Sequence, residues 1–170
     1  PGCGYDLTED DLPKIEAEYD RLTDIMLERK KEGKPFTFFH FMVDLDQGPC
    51  VVKRLRGCGA GYEYVAVTPD GDIYPCHQFA GDPDFRMGNV YEGKLDEAIR
   101  AKFKKSCLFT RKKCENCFAK FICSGGCSAN NYHFNGDIDE PYDITCEMMK
   151  KRTENAMHIL AERKRRNAHE

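Results

Sequence analysis

Cysteine carries the chemistry of this chain. Seven of its ten cysteines fall in one ordered pattern: Cys58-x12-Gly71-x4-Cys76, then Cys114-x2-Cys117-x5-Cys123-x3-Cys127, then Cys146. Thiolates are soft metal ligands, and a tight pair such as Cys114 and Cys117 suits metal better than a structural disulfide. Seven are too many for one tetrahedral site and nearly enough for two sites of four. Cys114 and Cys117 can wrap one site on a tight loop, with Cys123 in reach and Cys146 closing the shell from the start of the last helix. Cys58, Cys76 and Cys127 remain for the other site, so the chain crosses between neighbouring sites from Cys123 to Cys127. Backbone N–H groups of Ser124, Gly125 and Gly126, and those of the last helix's first turn, can point at sulfur. Such bonds stabilise negative charge and raise the potential of a bound cluster. The three-thiol site takes its fourth donor from Cys50 or another side chain, or leaves that corner open to solvent or substrate. Cys3 and Cys107 fit no pattern and read as free thiols.

These residues need elements to place them. Residues 8–33 read as an amphipathic helix, with Thr8 as cap, Asp11 at the capping-box position and Pro13 in the first turn. Leu12, Ile15, Tyr19, Leu22 and Met26 share one face, and Gly33 and Pro35 stop the helix. The run from Phe36 to Val43 is apolar at nearly every position, the pattern of a strand buried on both faces in a parallel sheet. Residues 1–46 are therefore expected to be the last helix–strand unit of an α/β domain. Tyr62 to Val67, the turn Thr68-Pro69-Asp70-Gly71 and the return from Asp72 to Cys76 predict a β-hairpin. A short helix is expected over 95–104 and a last helix from about Asp143 to Arg166, the latter capped by Asp143. Residues 107–142 show little periodicity and promise few buried side chains, so something other than an apolar core must order them.

Bulk properties narrow the classes. The net charge of −3 argues against broad nucleic-acid binding, and the basic run Arg163-Lys164-Arg165-Arg166 reads as a solvated helix end. No run of about 18 apolar residues predicts a membrane span. The start, Pro1-Gly2-Cys3-Gly4, carries no secretory signal, so a cytoplasmic location with reduced thiols is expected. A first residue other than methionine predicts a chain that is processed, trimmed or part of something longer.

The cysteine pattern resembles the SPASM domain of radical S-adenosylmethionine enzymes, over about residues 58–146. That family's order is a cysteine, a gap, Gly-x4-Cys, a gap, Cys-x2-Cys-x5-Cys-x3-Cys, a gap and a final cysteine. The stretches Gly57 to Tyr64, Asp72 to Phe79 and Met87-Gly88-Asn89-Val90 are most similar to the maturases of six-cysteines-in-forty-five (SCIFF) peptides, which join a cysteine sulfur to a backbone carbon as a thioether. The resemblance implies an α+β fold: a helix–strand remnant of a partial (β/α)6 barrel (1–46), a SPASM domain (47–150) and a C-terminal helix (143–170). It also implies two auxiliary [4Fe–4S] clusters, with Cys58, Cys76 and Cys127 matching ligands of the first. Cys114, Cys117, Cys123 and Cys146 match ligands of the second. Some relatives carry a further ligand cysteine shortly after the first; here Tyr62 and Tyr64 occupy that stretch, which favours an open corner for a substrate thiolate. The family's Cys-x3-Cys-x2-Cys motif is absent from these residues; Cys123 and Cys127 have the first spacing, but Asn130 stands where the third thiolate belongs. S-adenosylmethionine and a third [4Fe–4S] cluster are then expected of an N-terminal part, and a catalytic residue of none here. The implied partners are a cysteine-rich precursor peptide and an electron-carrying protein, without nucleic acid or membrane.

Two other classes compete. A zinc-held structural or interaction module uses similar spacings, with His77 or His133 as candidate fourth ligand. A free-standing ferredoxin-like carrier is the other; within the SPASM class, a sulfatase-maturase-like oxidase is the alternative to thioether formation.

Overall fold

The computed structural model describes residues 2–43, 45 and 50–167. The expected capping box opens the chain: the Thr8 N–H donates to Asp11 Oδ2 at 2.9 Å. A single 3-10 turn, Glu9–Asp11, follows and runs into helix α1, Leu12–Lys31. Gly33, with φ +74°, turns the chain out, and the Lys34 N–H closes the end on the Arg29 carbonyl at 2.9 Å. Helix α1 packs on the long C-terminal helix, Asp143–Asn167. The seam is polar as well as apolar. Buried Asn155 donates from Nδ2 to the Tyr19 carbonyl (3.0 Å), Asp20 Oδ1 (3.1 Å) and Thr23 Oγ1 (2.7 Å). Thr23, buried beside it, donates in turn to the Tyr19 carbonyl.

The phenylalanine-rich run is not a strand. It holds one 3-10 turn, Phe39–Phe41, in which Phe41 is buried while Phe39 and Met42 are 72% and 69% exposed. A strand buried on both faces needs hydrogen-bonded neighbours, and among the described residues none lies beside it. Its aromatic side chains gather round Tyr19 instead, with ring centroids of Phe38, His40 and Phe41 at 6.3, 6.1 and 5.8 Å. Arg152 Nε donates to the Tyr19 hydroxyl at 2.8 Å, and that hydroxyl lies 3.0 Å from His40 Nδ1. The helix of the expected helix–strand unit is present and its strand is not. The expected boundary near residue 46 lies outside the described residues.

After helix α2, Val51–Arg54, the chain builds one antiparallel sheet. Strand β1 is Ala66–Val67 and β2 Asp72–Tyr74, paired Ala66 to Tyr74 across the turn whose Gly71 N–H donates to the Thr68 carbonyl at 2.9 Å. The hairpin is shorter than expected, because residues 62–65 are spent on a turn in which the Gly61 N–H is shared between the Tyr64 and Pro75 carbonyls. Two further strands, β3 (Gly88–Asn89) and β4 (Lys94–Leu95), complete the order β1-β2-β3-β4. Gly88 is required there: its φ is +143°, and a Cβ would collide with the Lys94 carbonyl. The β2–β3 pair is pinned by Asp72, which accepts from Arg86 and from Asn89 Nδ2 at 2.9 Å each. Asp96 caps helix α3, Glu97–Lys105, accepting from the Ala98 and Ile99 N–H groups. Helices α4 (Lys120–Cys123), α5 (Ser128–Asn135) and α6 (Asp143–Asn167) follow. The core lies between sheet, α3 and α5, where Phe79 meets Phe85 (4.2 Å between centroids) and Phe85 meets Tyr132 (4.5 Å). The architecture is a mixed α+β fold, as expected. No described helix is long and apolar enough to cross a membrane.

The α1–α6 seam makes two predictions. Asn155→Ala removes three hydrogen bonds from a buried site and should destabilise the fold by about 1–3 kcal/mol, measured by chemical denaturation. His40 has its pKa lowered from 6.5, first by burial and then by the Arg152 charge. A folded-state pKa below the unfolded one means that the unfolded chain binds more protons in acid, so this contribution is complete above pH 6.5 and is lost as pH falls. His40→Gln should flatten that acid-side decline in a melting-temperature profile.

Candidate metal centre

Each thiol of the larger set comes from a different local turn. Cys114 ends a 3-10 turn, Lys112–Cys114, and the next turn is closed by the Cys117 N–H on the Cys114 carbonyl at 3.2 Å. Cys123 is the last residue of α4, and Cys146 lies in the first turn of α6. Together Cys114, Cys117, Cys123 and Cys146 line one cavity of about 260 Å³. Burial raises the pKa of Cys114 and Cys123. The Cys146 thiol is pushed up to about 12, by burial first and then by the fields of Cys123, Cys114, Asp143 and Cys117. These are sulfurs held out of water and close enough to repel as thiolates, which a bound cation relieves.

Of the expected hydrogen bonds to sulfur, those of Gly125 and Gly126 are found, while the Ser124 N–H closes α4 on the Lys120 carbonyl at 2.8 Å. Helix α4 ends on Ser124 in the left-handed conformation (φ +63°), followed by Gly125 (+84°) and Gly126 (+78°). This curl turns the Gly125 and Gly126 N–H groups back onto Cys123 sulfur. At the start of α6, by contrast, the Cys146 N–H is taken by the Tyr142 carbonyl at 3.1 Å. Asp143 is inside the helix rather than its cap, and pairs with Lys113 Nζ at 3.1 Å.

Cys58, Cys76 and Cys127 gather round Tyr64, whose hydroxyl is raised in pKa by burial first, then by its hydrogen bond to Cys58 and the fields of all three thiols. Each sulfur has a donor from the chain. Tyr64 donates its hydroxyl to Cys58 Sγ at 3.6 Å, and Gln78 Nε2 reaches Cys127 Sγ at 3.6 Å. Cys76 is buried ahead of the 3-10 turn His77–Phe79, whose Phe79 N–H donates to the Cys76 carbonyl at 3.1 Å and whose Gln78 N–H faces the sulfur. Cys127 stands at the N-terminal end of α5, adjoining the aromatic core. Of the histidines, His133 gives its ring nitrogen to the Gln78 carbonyl at 3.0 Å and packs on Phe79. His77 is exposed. Cys50 is exposed at the start of α2, Cys3 is exposed, and Cys107 is half-buried; none of them joins either set.

The segment joining the two sets has a core after all, but a polar one. Arg111 is 1% exposed. Its Nη1 donates to the Ser124 carbonyl at 2.9 Å, and its Nη2 to Ser106 Oγ at 3.0 Å and Ser128 Oγ at 3.2 Å. Asn131, fully buried, donates to the Gly125 and Ile138 carbonyls and accepts the Tyr142 N–H. Neither residue carries a signal in the sequence, where an arginine ahead of two lysines reads as surface.

Among the described residues no group of three or more His, Cys, Asp or Glu side chains forms a donor set for a metal ion. The larger set instead surrounds a space. Four soft donors, Cys114 buried and the other three half-buried, with backbone N–H groups aimed at one sulfur, fit the chemistry of a thiolate-held iron–sulfur group.

Comparison with known proteins agrees with that donor chemistry. Residues 58–118 match the SPASM family, an iron–sulfur cluster-binding domain. An uncharacterized protein of Archaeoglobus fulgidus is 33% identical over 157 residues, covering 86% of this chain and 37% of that protein. The mycofactocin maturase MftC of Mycobacterium tuberculosis is 31% identical over 112 residues, 62% of this chain and 27% of that protein. The antilisterial bacteriocin subtilosin biosynthesis protein AlbA of Bacillus subtilis is 27% identical over 97 residues, 48% of this chain and 20% of that protein. Residues 58–118 are thus SPASM-like, and the chain is similar to a mycofactocin maturase and to a subtilosin biosynthesis protein. It spans between 20% and 37% of the length of these relatives.

A Cβ at Gly125 would run into the Arg111 guanidinium, and the φ of +84° is strained for any other residue. Gly125→Ala should therefore destabilise the fold by about 1–3 kcal/mol, whereas Gly136→Ala, at a similar φ in open space, should cost about 1 kcal/mol. Thermal melts of the two variants make the comparison.

Proposed function

We propose that this chain is the auxiliary-cluster part of a radical S-adenosylmethionine peptide maturase, holding two [4Fe–4S] clusters. Cys114, Cys117, Cys123 and Cys146 would hold one; Cys58, Cys76 and Cys127 would hold the other. The observation that carries this reading is the convergence of Cys114, Cys117, Cys123 and the more remote Cys146 on one cavity, with the Gly125 and Gly126 N–H groups on Cys123. Such clusters supply single-electron transfer at sulfur-ligated iron.

The chain's own residues suit a thioether-forming reaction on a cysteine-rich peptide. Replacing a backbone C–H and a cysteine S–H by a C–S bond is an oxidation, so the departing hydrogens leave as protons and electrons, which need an acceptor beside the peptide. The smaller set offers three thiols where a four-iron group takes four donors, and a substrate cysteine has the matching chemistry. Tyr64 and Gln78 flank that set, with a hydroxyl and a carboxamide able to orient a peptide. The stretches Gly57 to Tyr64 and Asp72 to Phe79, similar to SCIFF maturases, support the finer assignment.

Anaerobic reconstitution tests the reading. The chain should take up about eight iron and eight sulfide. Cys146→Ala should lose about half the iron, Cys3→Ala should lose none, and both should be read by metal analysis and electron paramagnetic resonance. Zinc bound stoichiometrically with no iron uptake would end it.

A further inference from the structure

Burying a guanidinium costs several kcal/mol unless its charge is compensated, and Arg111 is compensated sparingly. Its carboxylate partner, Asp139, is 30% exposed and stands 3.4 Å from Nε. That carboxylate is also shared with the hydroxyls of Ser106 and Thr110. The other acceptors are neutral: the carbonyls of Ser124 and Ile138 and the hydroxyls of Ser106 and Ser128. A positive charge thus sits in the interior, lining one cavity with Cys114 and bonded to the carbonyl of Ser124, the residue that follows Cys123. Its contacts are equally specific. Ser124 follows Cys123 and Ser128 follows Cys127, so one planar fork grips both ends of the crossover that joins the two thiol sets. Ser124 is the one non-glycine at positive φ among the described residues, and its carbonyl is what Nη1 holds. Gly125 leaves the room that the guanidinium fills.

We propose that Arg111 is a positioning residue for both centres: its fork fixes the Cys123–Cys127 crossover, and its charge raises the potential of the centre held by Cys114, Cys117, Cys123 and Cys146. Added electrons make a thiolate-ligated group more negative, so a nearby buried cation favours the reduced form. Lysine keeps the charge but presents its donors from one point and cannot span two serines as a fork does. This inference rests on the cluster reading above.

The test uses the 170-residue chain, reconstituted anaerobically with iron and sulfide, as wild type, Arg111→Lys, Arg111→Gln and the double variant Arg111→Gln/Asp139→Asn. Three quantities are read: iron per chain, midpoint potential by redox titration with electron paramagnetic resonance, and the rate of iron loss to a chelator. Arg111→Gln should shift the potential down, while Arg111→Lys should keep it near wild type. All three variants should lose iron about tenfold faster, the factor expected for one lost charge-assisted hydrogen bond. The double variant leaves no lone buried charge and should load even where Arg111→Gln does not fold. Wild-type iron retention in the double variant overturns the clamp. A potential unchanged in Arg111→Gln overturns the tuning; where that variant does not load, a lowered potential in Arg111→Lys does so. A wild-type chain that takes up no iron overturns the cluster reading itself, and the role of Arg111 with it.

Discussion

The structure turns on the stretch between Cys123 and Cys127, where the chain leaves one thiol set and enters the other. Short connections between two sites leave little freedom. The backbone must present Cys123 to a cavity, reverse, and present Cys127 to Tyr64 and Gln78. It does so through three successive positive-φ residues, Ser124, Gly125 and Gly126. That curl exposes backbone groups that water cannot reach, and each must find a partner within the protein. Cys123 sulfur takes two of the N–H groups, Arg111 takes the Ser124 carbonyl, and Asn131 takes that of Gly125. The polar core therefore follows from the crossover: residues with several donors are needed where several carbonyls converge.

This division of labour explains why the aromatic core lies to one side. Phe79, Phe85, Phe103 and Tyr132 fill the space between sheet, α3 and α5, and Cys76 and Cys127 border it. Apolar packing holds the smaller set's walls, and hydrogen bonds hold the link to the larger set. A non-directional core places elements but does not aim single carbonyls and N–H groups, whereas a sulfur ligand has to be aimed.

What was legible in the sequence was what is local. Thr8, Asp11, Pro13 and Gly33 bound a helix by capping chemistry, and the Thr68 to Gly71 turn fixes a hairpin without reference to distant residues. Cys114, Cys117 and Cys123 lie within ten residues, so their nearness was legible in the spacing, whereas Cys58, Cys76 and Cys127 meet round Tyr64 only in the folded chain. The Phe36 to Val43 run misled because apolarity at every position reports burial on both sides, while strand formation needs partner strands that composition does not reveal. Strands β3 and β4, of two residues each, have no room for alternation. Helix α5, Ser-Ala-Asn-Asn-Tyr-His-Phe-Asn, has little apolar face and forms around Asn131 and Ala129. The role of Arg111 depends on atoms contributed by residues 106 to 139, a convergence that only the folded chain contains.

Helix α6 carries the consequences of this arrangement away from the thiols. Its first turn supplies Cys146, the most strongly perturbed of the cavity's thiols, and its middle supplies Arg152 and Asn155 to α1. A helix is stiff along its axis, because its backbone hydrogen bonds run in series along it. Cys146 and Arg152, which holds the Tyr19 hydroxyl beside His40, therefore lie on one continuous helix, about two turns apart. The phenylalanine-rich segment packs against the middle of that helix, with Phe39 and Met42 outward. The larger thiol set and this exposed apolar segment thus share one helix.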